Sequence, residues 1–343
     1  MHTKSPLSGT SLTSWAKGHP IAMIMSAVLS LGASQAAMAD NSYPNKPIRI
    51  IVGMAPGGAT DVLARTLAEK MAPALGQPIV VENRPGAGGM IGTDALAKSD
   101  PDGYTISVIL SSAVVGNQFV YSKLPYDPNT QIAYVYQLVD AAVVLAANSE
   151  KPFRTAQEFV DYAQTNPGSI VYGSYSTGSY GHVAMAYLDE RLKSKMTHVG
   201  YKGEGAMLTD MLGGRVDVAF GSASNMAPHV ESGKIRFLGV SGPQRMSSLP
   251  DVPTLTEQGL TDEPFKLFGW LGLIAPASTP KPILDRLASE ASNAMKDPEV
   301  QQRVRALGFE PVVDSSPEKA LARYKHDVPI WKDLIERAGA KVD

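Results

Sequence analysis

A short β-branched run, a glycine-rich loop and an amphipathic helix follow one another several times in this chain, and that recurrence restricts the fold more than any other feature. Ile48–Val52 ends at a glycine, and residues 61–71 follow with Val62, Leu63, Leu67 and Ala68 at helical spacing. Residues 78–82 read as the next strand, 84–89 as its loop, a helix runs to about Lys98, and 104–110 is a third strand. Strands separated by helices pair in parallel through crossover connections, so the class is α/β with mostly parallel sheets flanked by helices. A second set begins with a strand at 170–173 and a helix at 182–192. It continues through strands at 195–199, 216–220 and 235–241, and residues 280–296 and 317–336 read as helices with charged outer faces.

No flexible linker separates the two sets. Two apolar, β-forming runs, 137–147 and 266–274, are placed to cross between lobes. Residues 40–143 with 268–343 then form one lobe, and 144–267 form a second lobe inserted within it. Ligands of open α/β sheets sit at the carboxyl ends of the strands, which puts a ligand cleft between the lobes.

The net charge of -2, from 31 basic and 33 acidic residues, shows no basic excess of the kind nucleic acid demands. The absence of cysteine excludes disulfides, thiolate catalysis and Cys-based metal sites. Residues 1–39 contain no Asp or Glu, carry Lys4 and Lys17, run apolar from Ile21 to about Leu31 and close with Ala37-Met38-Ala39. That is the plan of a secretory signal cleaved after Ala39, and the apolar run is too short for the ~20 residues a membrane span needs. Without Lys4 and Lys17 the remaining chain has 29 basic against 33 acidic residues. A soluble periplasmic protein is expected.

Loops at four strand ends carry the candidate chemistry. Ala55, Gly57 and Gly58 precede a helix, so their N–H groups and the helix dipole can cradle an anion, with Asp61 in a structural role beside them. The alternative is a tight turn with Asp61 as cap. The loop lacks the Gly-Lys-Ser/Thr of a nucleotide P-loop. Ser174, Tyr175, Ser176, Thr177, Gly178 and Ser179 form the densest run of donors, also before a helix, with His182 as a structural residue close by. Ser111 and Ser112 end the third strand, and Tyr201 with Lys202 opens a loop of the second lobe. A hydrolase using Ser176 or Ser179 is an alternative, although neither sits in Gly-x-Ser-x-Gly. No histidines have metal-ligand spacing, so neither metal nor other cofactor is expected. Trp270 reads as packing on a crossing strand.

The segments "YPNKPIRIIVGMAPGGATDVLAR", "VVENRPGAGGMIG", "KLPYDP", "YKGEGAMLTDMLGGRVDVAF" and "GLIAPASTPKPI", in this order and spacing, resemble the Bug family, the receptors of tripartite tricarboxylate transporters. The resemblance covers essentially all of the chain after residue 39. It implies a two-lobed type II periplasmic binding fold that closes on an organic carboxylate. It also implies a monomer that hands its ligand to a membrane permease of two further subunits. By the same resemblance Ala55, Gly57 and Gly58 grip a distal carboxylate, and Ser174, Gly178, Ser179 and His182 match the motif that holds the proximal one. The chain departs from the family at Ser176, Tyr175 and Tyr180, and at Gly221-Ser222, where an Asp is common. The rings suit a flat, apolar ligand body, and losing the carboxylate disfavours an amino acid. An aromatic dicarboxylate such as terephthalate is therefore expected, with citrate or malate as the alternative.

Overall fold

The computed structural model describes residues 43–342; the signal sequence expected at 1–39 lies outside them. In chain order, β1 (Ile48–Val52) leads into α1 (Ala59–Leu75), β2 (Ile79–Asn83) into α2 (Met90–Ala97), and β3 (Thr105–Leu110) into the single turns α3 (Ser111–Val114) and α4 (Asn117–Val120). Only Ala142 and Val143 separate β4 (Ile132–Ala141) from β5 (Val144–Asn148). The second set follows: α5 (Ala156–Thr165), β6 (Val171–Ser174), α6 (Tyr180–Leu192), β7 (Thr197–Gly200), α7 (Glu204–Leu212), β8 (Val218–Gly221), α8 (Ala223–Glu231) and β9 (Ile235–Val240). After α9 (Glu263–Lys266) the chain continues through β10 (Gly269–Pro276), α10 (Lys281–Lys296), α11 (Pro298–Ala306), β11 (Glu310–Pro311) and α12 (Pro317–Arg337).

One sheet has the order β11-β4-β10-β3-β1-β2 and the other β7-β6-β8-β5-β9. β1 pairs in parallel with β2 and β3, and β6 with β7 and β8. The sheets are nevertheless mixed. β10 runs antiparallel to β3 and β4, and β5 antiparallel to β8 and β9, because each of these strands lies next to a passage between the sheets and enters its sheet against the local direction.

The helices form where the sequence supplies a buried stripe and an end signal. In α1, Leu63, Leu67 and Met71 are buried one turn apart, and Gly76 ends the helix in the left-handed conformation with its N–H on the Pro73 carbonyl. In α12 the Ser316 hydroxyl accepts the Lys319 N–H, and Tyr324, Trp331, Leu334 and Ile335 are buried. Each such side chain contributes about 1.5–3 kcal/mol by leaving water. One contiguous core runs from Leu96 and Ile109 beside the first sheet to Phe159 and Phe220 in the second, with Tyr324 and Trp331 of α12 between them.

Two backbone arrangements position the site. A Cβ on Gly92 would lie 2.7 Å from the Gly53 Cα, and one on Gly53 would lie 2.8 Å from the Gly89 Cα. The end of β1 and the start of α2 therefore touch through bare backbone, which only glycine permits, and Gly88 is carried to the cleft. At the passages, side-chain alternation sends Ala141, Val143 and Gly269 to one cavity and Asp140, Ala142 and Phe268 to another on the opposite face.

Candidate functional site

The first of these cavities, about 270 Å³, lies where the two sheets exchange the chain. Ser111, Ser112, Asn117, Val120 and Tyr121 line it from the first sheet's side, and Trp331 from α12. The whole run 175–180 forms the opposing wall. No Lys, Arg, His, Asp or Glu lines it among the described residues, so its polar character comes from hydroxyls, one amide side chain and backbone. The rings of Tyr121, Tyr175, Tyr180 and Trp331 give it an apolar body.

Its best-equipped corner is the start of α6. Ser179 is the N-cap residue, yet its side chain caps nothing. The hydroxyl is buried, with 9% of the residue exposed, and among the described residues it meets no acceptor or donor in good hydrogen-bond geometry, the Tyr175 phenol lying close beside it. A buried hydroxyl without a partner costs on the order of 1–3 kcal/mol unless a ligand supplies one. The N–H groups at the helix start also have no intrahelical partner. Burial and the Glu204 carboxylate push the Tyr175 phenol up to about 12, although the N–H groups of Gly181 and Tyr180 and the nearby Ser179 hydroxyl favour its charged form. Tyr175 therefore keeps its proton at neutral pH and is available as a donor. Burial likewise pushes Tyr180 up; its hydroxyl donates to the Pro264 carbonyl at 2.9 Å.

Gly178 joins the two walls. Its φ is +73°, its N–H donates to His182 Nδ1 at 3.2 Å, and a Cβ there would lie 2.3 Å from Val120 Cγ2. The hydroxyl-rich loop therefore rests directly on the opposite wall.

Eight of the residues singled out in the sequence meet in this cavity: Ser111, Ser112, Tyr175, Ser176, Thr177, Gly178, Ser179 and Tyr180. Ser111 also has a structural bond, because its hydroxyl accepts the Trp270 N–H at 3.2 Å. The others lie elsewhere, each for a physical reason. Ala55, Gly57 and Gly58 form an exposed loop in which the Gly57 N–H donates to Asp61 Oδ2 at 2.9 Å and the Gly58 N–H to the Ala55 carbonyl at 3.4 Å. Burial opposes ionisation of Asp61, but Arg65, the Gly57 N–H and Asn83 together hold its carboxyl below the ordinary range. Ser174 is fully buried, its hydroxyl 2.8 Å from His198 Nε2. The Tyr201 hydroxyl donates to Asp210 at 2.8 Å, and Lys202 is exposed with no ion pair among the described residues. Trp270 is buried, with its indole N–H on Asp327 at 2.9 Å.

Asn117, Val120, Tyr121 and Trp331 were not singled out in the sequence. They come from a single helical turn, the residue after it and the last helix, which carry no local motif.

The carboxylate that Gly221 was taken to remove is supplied from another position. A Cβ on Gly221 would lie 2.5 Å from Glu204 Oε1. Glu204 instead occupies that space and accepts the Ser222 N–H at 2.6 Å, the Ser222 hydroxyl at 2.9 and 3.0 Å and the Asn225 side-chain amide at 3.0 Å. The start of α8 thus holds a carboxylate of the protein's own, while the start of α6, with the same serine N-cap, holds none. Replacing Glu204 by Ala strands those donors, and we expect a loss of about 1–3 kcal/mol. Added formate, but not chloride at equal ionic strength, should restore part of the lost melting temperature.

The hydrolase alternative lacks a base, since the imidazole nitrogen that faces the loop, His182 Nδ1, is engaged by the Gly178 N–H and the Ser179 hydroxyl meets no imidazole.

Two α/β sheets that exchange the chain beside a neutral, hydroxyl-lined cavity define a two-lobed solute-binding protein. The sequence model of the tripartite tricarboxylate transporter family receptor matches residues 63–340, and the chain belongs to that family, which is one of periplasmic solute-binding proteins and not of enzymes. The solved periplasmic binding protein BugD is 34% identical, with a TM-score of 0.71 over 88% of this chain and 100% of that one. Rpa4515 of R. palustris, solved with adipate, is 28% identical, with a TM-score of 0.74 over 88% and 100%. MatC from Rhodopseudomonas palustris, solved with malate, is 29% identical, with a TM-score of 0.70 over 85% and 100%.

Proposed function

We propose that this receptor binds a small dicarboxylate with a flat, apolar body, terephthalate being the sharpest instance, and delivers it as a monomer to a two-subunit membrane permease after its signal is cleaved at Ala39. The observation that carries the reading is the buried Ser179 hydroxyl, which caps nothing and stands with the Tyr175 phenol at the start of α6, on a cavity walled by four aromatic rings. One ligand carboxylate takes donors from Ser179, Tyr175 and the loop hydroxyls of Ser176 and Thr177. Charge-assisted bonds of this kind contribute about 1.5–3 kcal/mol each, so several of them offset desolvation without a cation. The second carboxylate points to the other wall, toward Ser112 and Asn117.

The aliphatic reading keeps its place because adipate and malate occupy two related structures. A thermal-shift panel of terephthalate, adipate, malate and citrate separates the two. A ligand present at 100 times its Kd stabilises by about 2.7 kcal/mol. We expect terephthalate to give the largest shift and Ser179→Ala to weaken it about 10- to 100-fold. Stabilisation by malate or citrate with terephthalate inert would overturn the aromatic assignment, and no shift with any carboxylate would overturn the anion seat.

A further inference from the structure

Behind the 175–179 wall the imidazoles of His182 and His198 lie face to face, their centroids 3.9 Å apart and their planes within 7° of parallel. The Tyr172 ring stacks on His198 at 4.8 Å, 26° from parallel. Both imidazoles are tied to the wall or its base. His182 Nδ1 accepts the Gly178 N–H, and His198 Nε2 is 2.8 Å from the Ser174 hydroxyl, which also donates to the Ser176 carbonyl at 3.3 Å.

A backbone N–H can only donate, so His182 Nδ1 is unprotonated in this arrangement and the ring is neutral. Adding a proton there sets N–H against N–H, and it places a cation against a second imidazole with no compensating partner. Among the described residues no carboxylate pairs with either ring. From β6 the facing titratable group is Tyr172, and from β7 it is His198 itself. From α6 it is Asp189, whose field reaches Tyr172 and whose Oδ1 is taken by the Ser194 hydroxyl and the Met196 N–H, each at 2.8 Å.

We propose that His182 is a positioning residue that, stacked on His198, holds the 175–179 wall against Val120 only while it is uncharged, so that acidification releases the wall and opens the cleft. Burial, and then the neighbouring His198, pushes His182 down to about 4; burial also lowers His198. A base whose folded value is depressed contributes its full stabilisation above the unfolded value of about 6.5, and that contribution is lost as pH falls toward the folded value. The window is therefore about pH 6.5 down to 4, with the wall in place on the neutral side. This holds whatever ligand the cleft takes.

The test is an NMR titration of the receptor from pH 7.5 to 3.5. It follows the His182 and His198 ring signals, the Gly178 amide and the proximity signal between the Gly178 α-protons and the Val120 methyls. We expect His182 to titrate with a midpoint near 4, the Gly178 amide to shift with the same midpoint, and the contact to Val120 to disappear with it. His182→Asn puts an amide oxygen where Nδ1 stands, keeps an acceptor for Gly178 and cannot be charged. In that variant the Gly178 amide should hold its neutral-pH position throughout. A Gly178 amide that stays still while His182 titrates would overturn the proposal, as would a midpoint for His182 near 6.5. If the variant does not fold, the titration of the unaltered receptor decides alone.

Discussion

Gly178→Ala is expected to weaken ligand binding on the order of 100-fold. Two costs act together. The residue sits at φ +73°, where a side chain costs about 1–2 kcal/mol, and the added methyl would stand 2.3 Å from Val120 Cγ2 and 3.3 Å from Cγ1. Val120 has few alternative rotamers, being β-branched, and is 5% exposed in the core, so it has little room to give way. Relief comes instead from moving the loop off the opposite wall, and Ser179 moves with it. Overpacking of this kind costs about 1–3 kcal/mol, so the sum falls at the upper end of what one ligand carboxylate gains from its bonds. Calorimetry with the carboxylate the panel selects measures the effect. In a double-mutant cycle, Val120→Ala should restore the part due to the clash and leave the part due to φ. Equal affinity of Gly178→Ala and the parent would refute the claim that this contact seats the wall.

What the sequence made legible was local. The β-branched runs and glycine loops carry their own periods and stop signals, so the α/β class follows from them, and the density of hydroxyls at 174–179 marks a donor loop wherever it folds. What stayed hidden depended on partners far along the chain. Ser174 and Ser176 look equivalent as letters, yet the buried strand β6 turns Ser174 toward His198 and leaves Ser176 in the loop beyond it. Gly221 reads as a lost carboxylate until Glu204, from the preceding helix, is found in the space it leaves. The Gly57 amide reads as an anion donor until Asp61, four residues on, is found accepting it. Trp331 reaches the cavity only because α12 packs against both β4 of the first sheet and α6 of the second set, an arrangement no window of sequence contains. Mixed pairing at β5 and β10 has the same origin, since strand direction at a passage is set by the global path and not by the strand's residues.

Asp327→Ala is expected to cost about 3–5 kcal/mol and to lower the melting temperature by on the order of 10 °C. Asp327 is 1% exposed and accepts the Trp270 indole N–H at 2.9 Å and the Arg323 guanidinium at 2.9 and 3.0 Å, with His326 Nδ1 3.1 Å away. Arg323 in turn donates to the Phe268 carbonyl at 3.1 Å and lies 4.1 Å from the centre of the Phe268 ring. Removing the carboxylate leaves the indole N–H without its acceptor and the largely buried guanidinium without its bonded carboxylate, with only the Phe268 carbonyl still accepting from it, and both penalties fall on one short segment. That segment, 268–270, begins β10 and brackets Gly269 of the cleft wall; it is fastened to the helix that also supplies Trp331. The destabilisation should therefore be accompanied by weaker ligand binding, which a remote core mutation of equal cost would not produce. Combining Asp327→Ala with Arg323→Met removes the orphaned charge and should recover more than half of the loss, measured by denaturant unfolding. If the double variant is as unstable as the sum of the single ones, the charge is not what makes Asp327 indispensable, and packing around Trp270 becomes the cause.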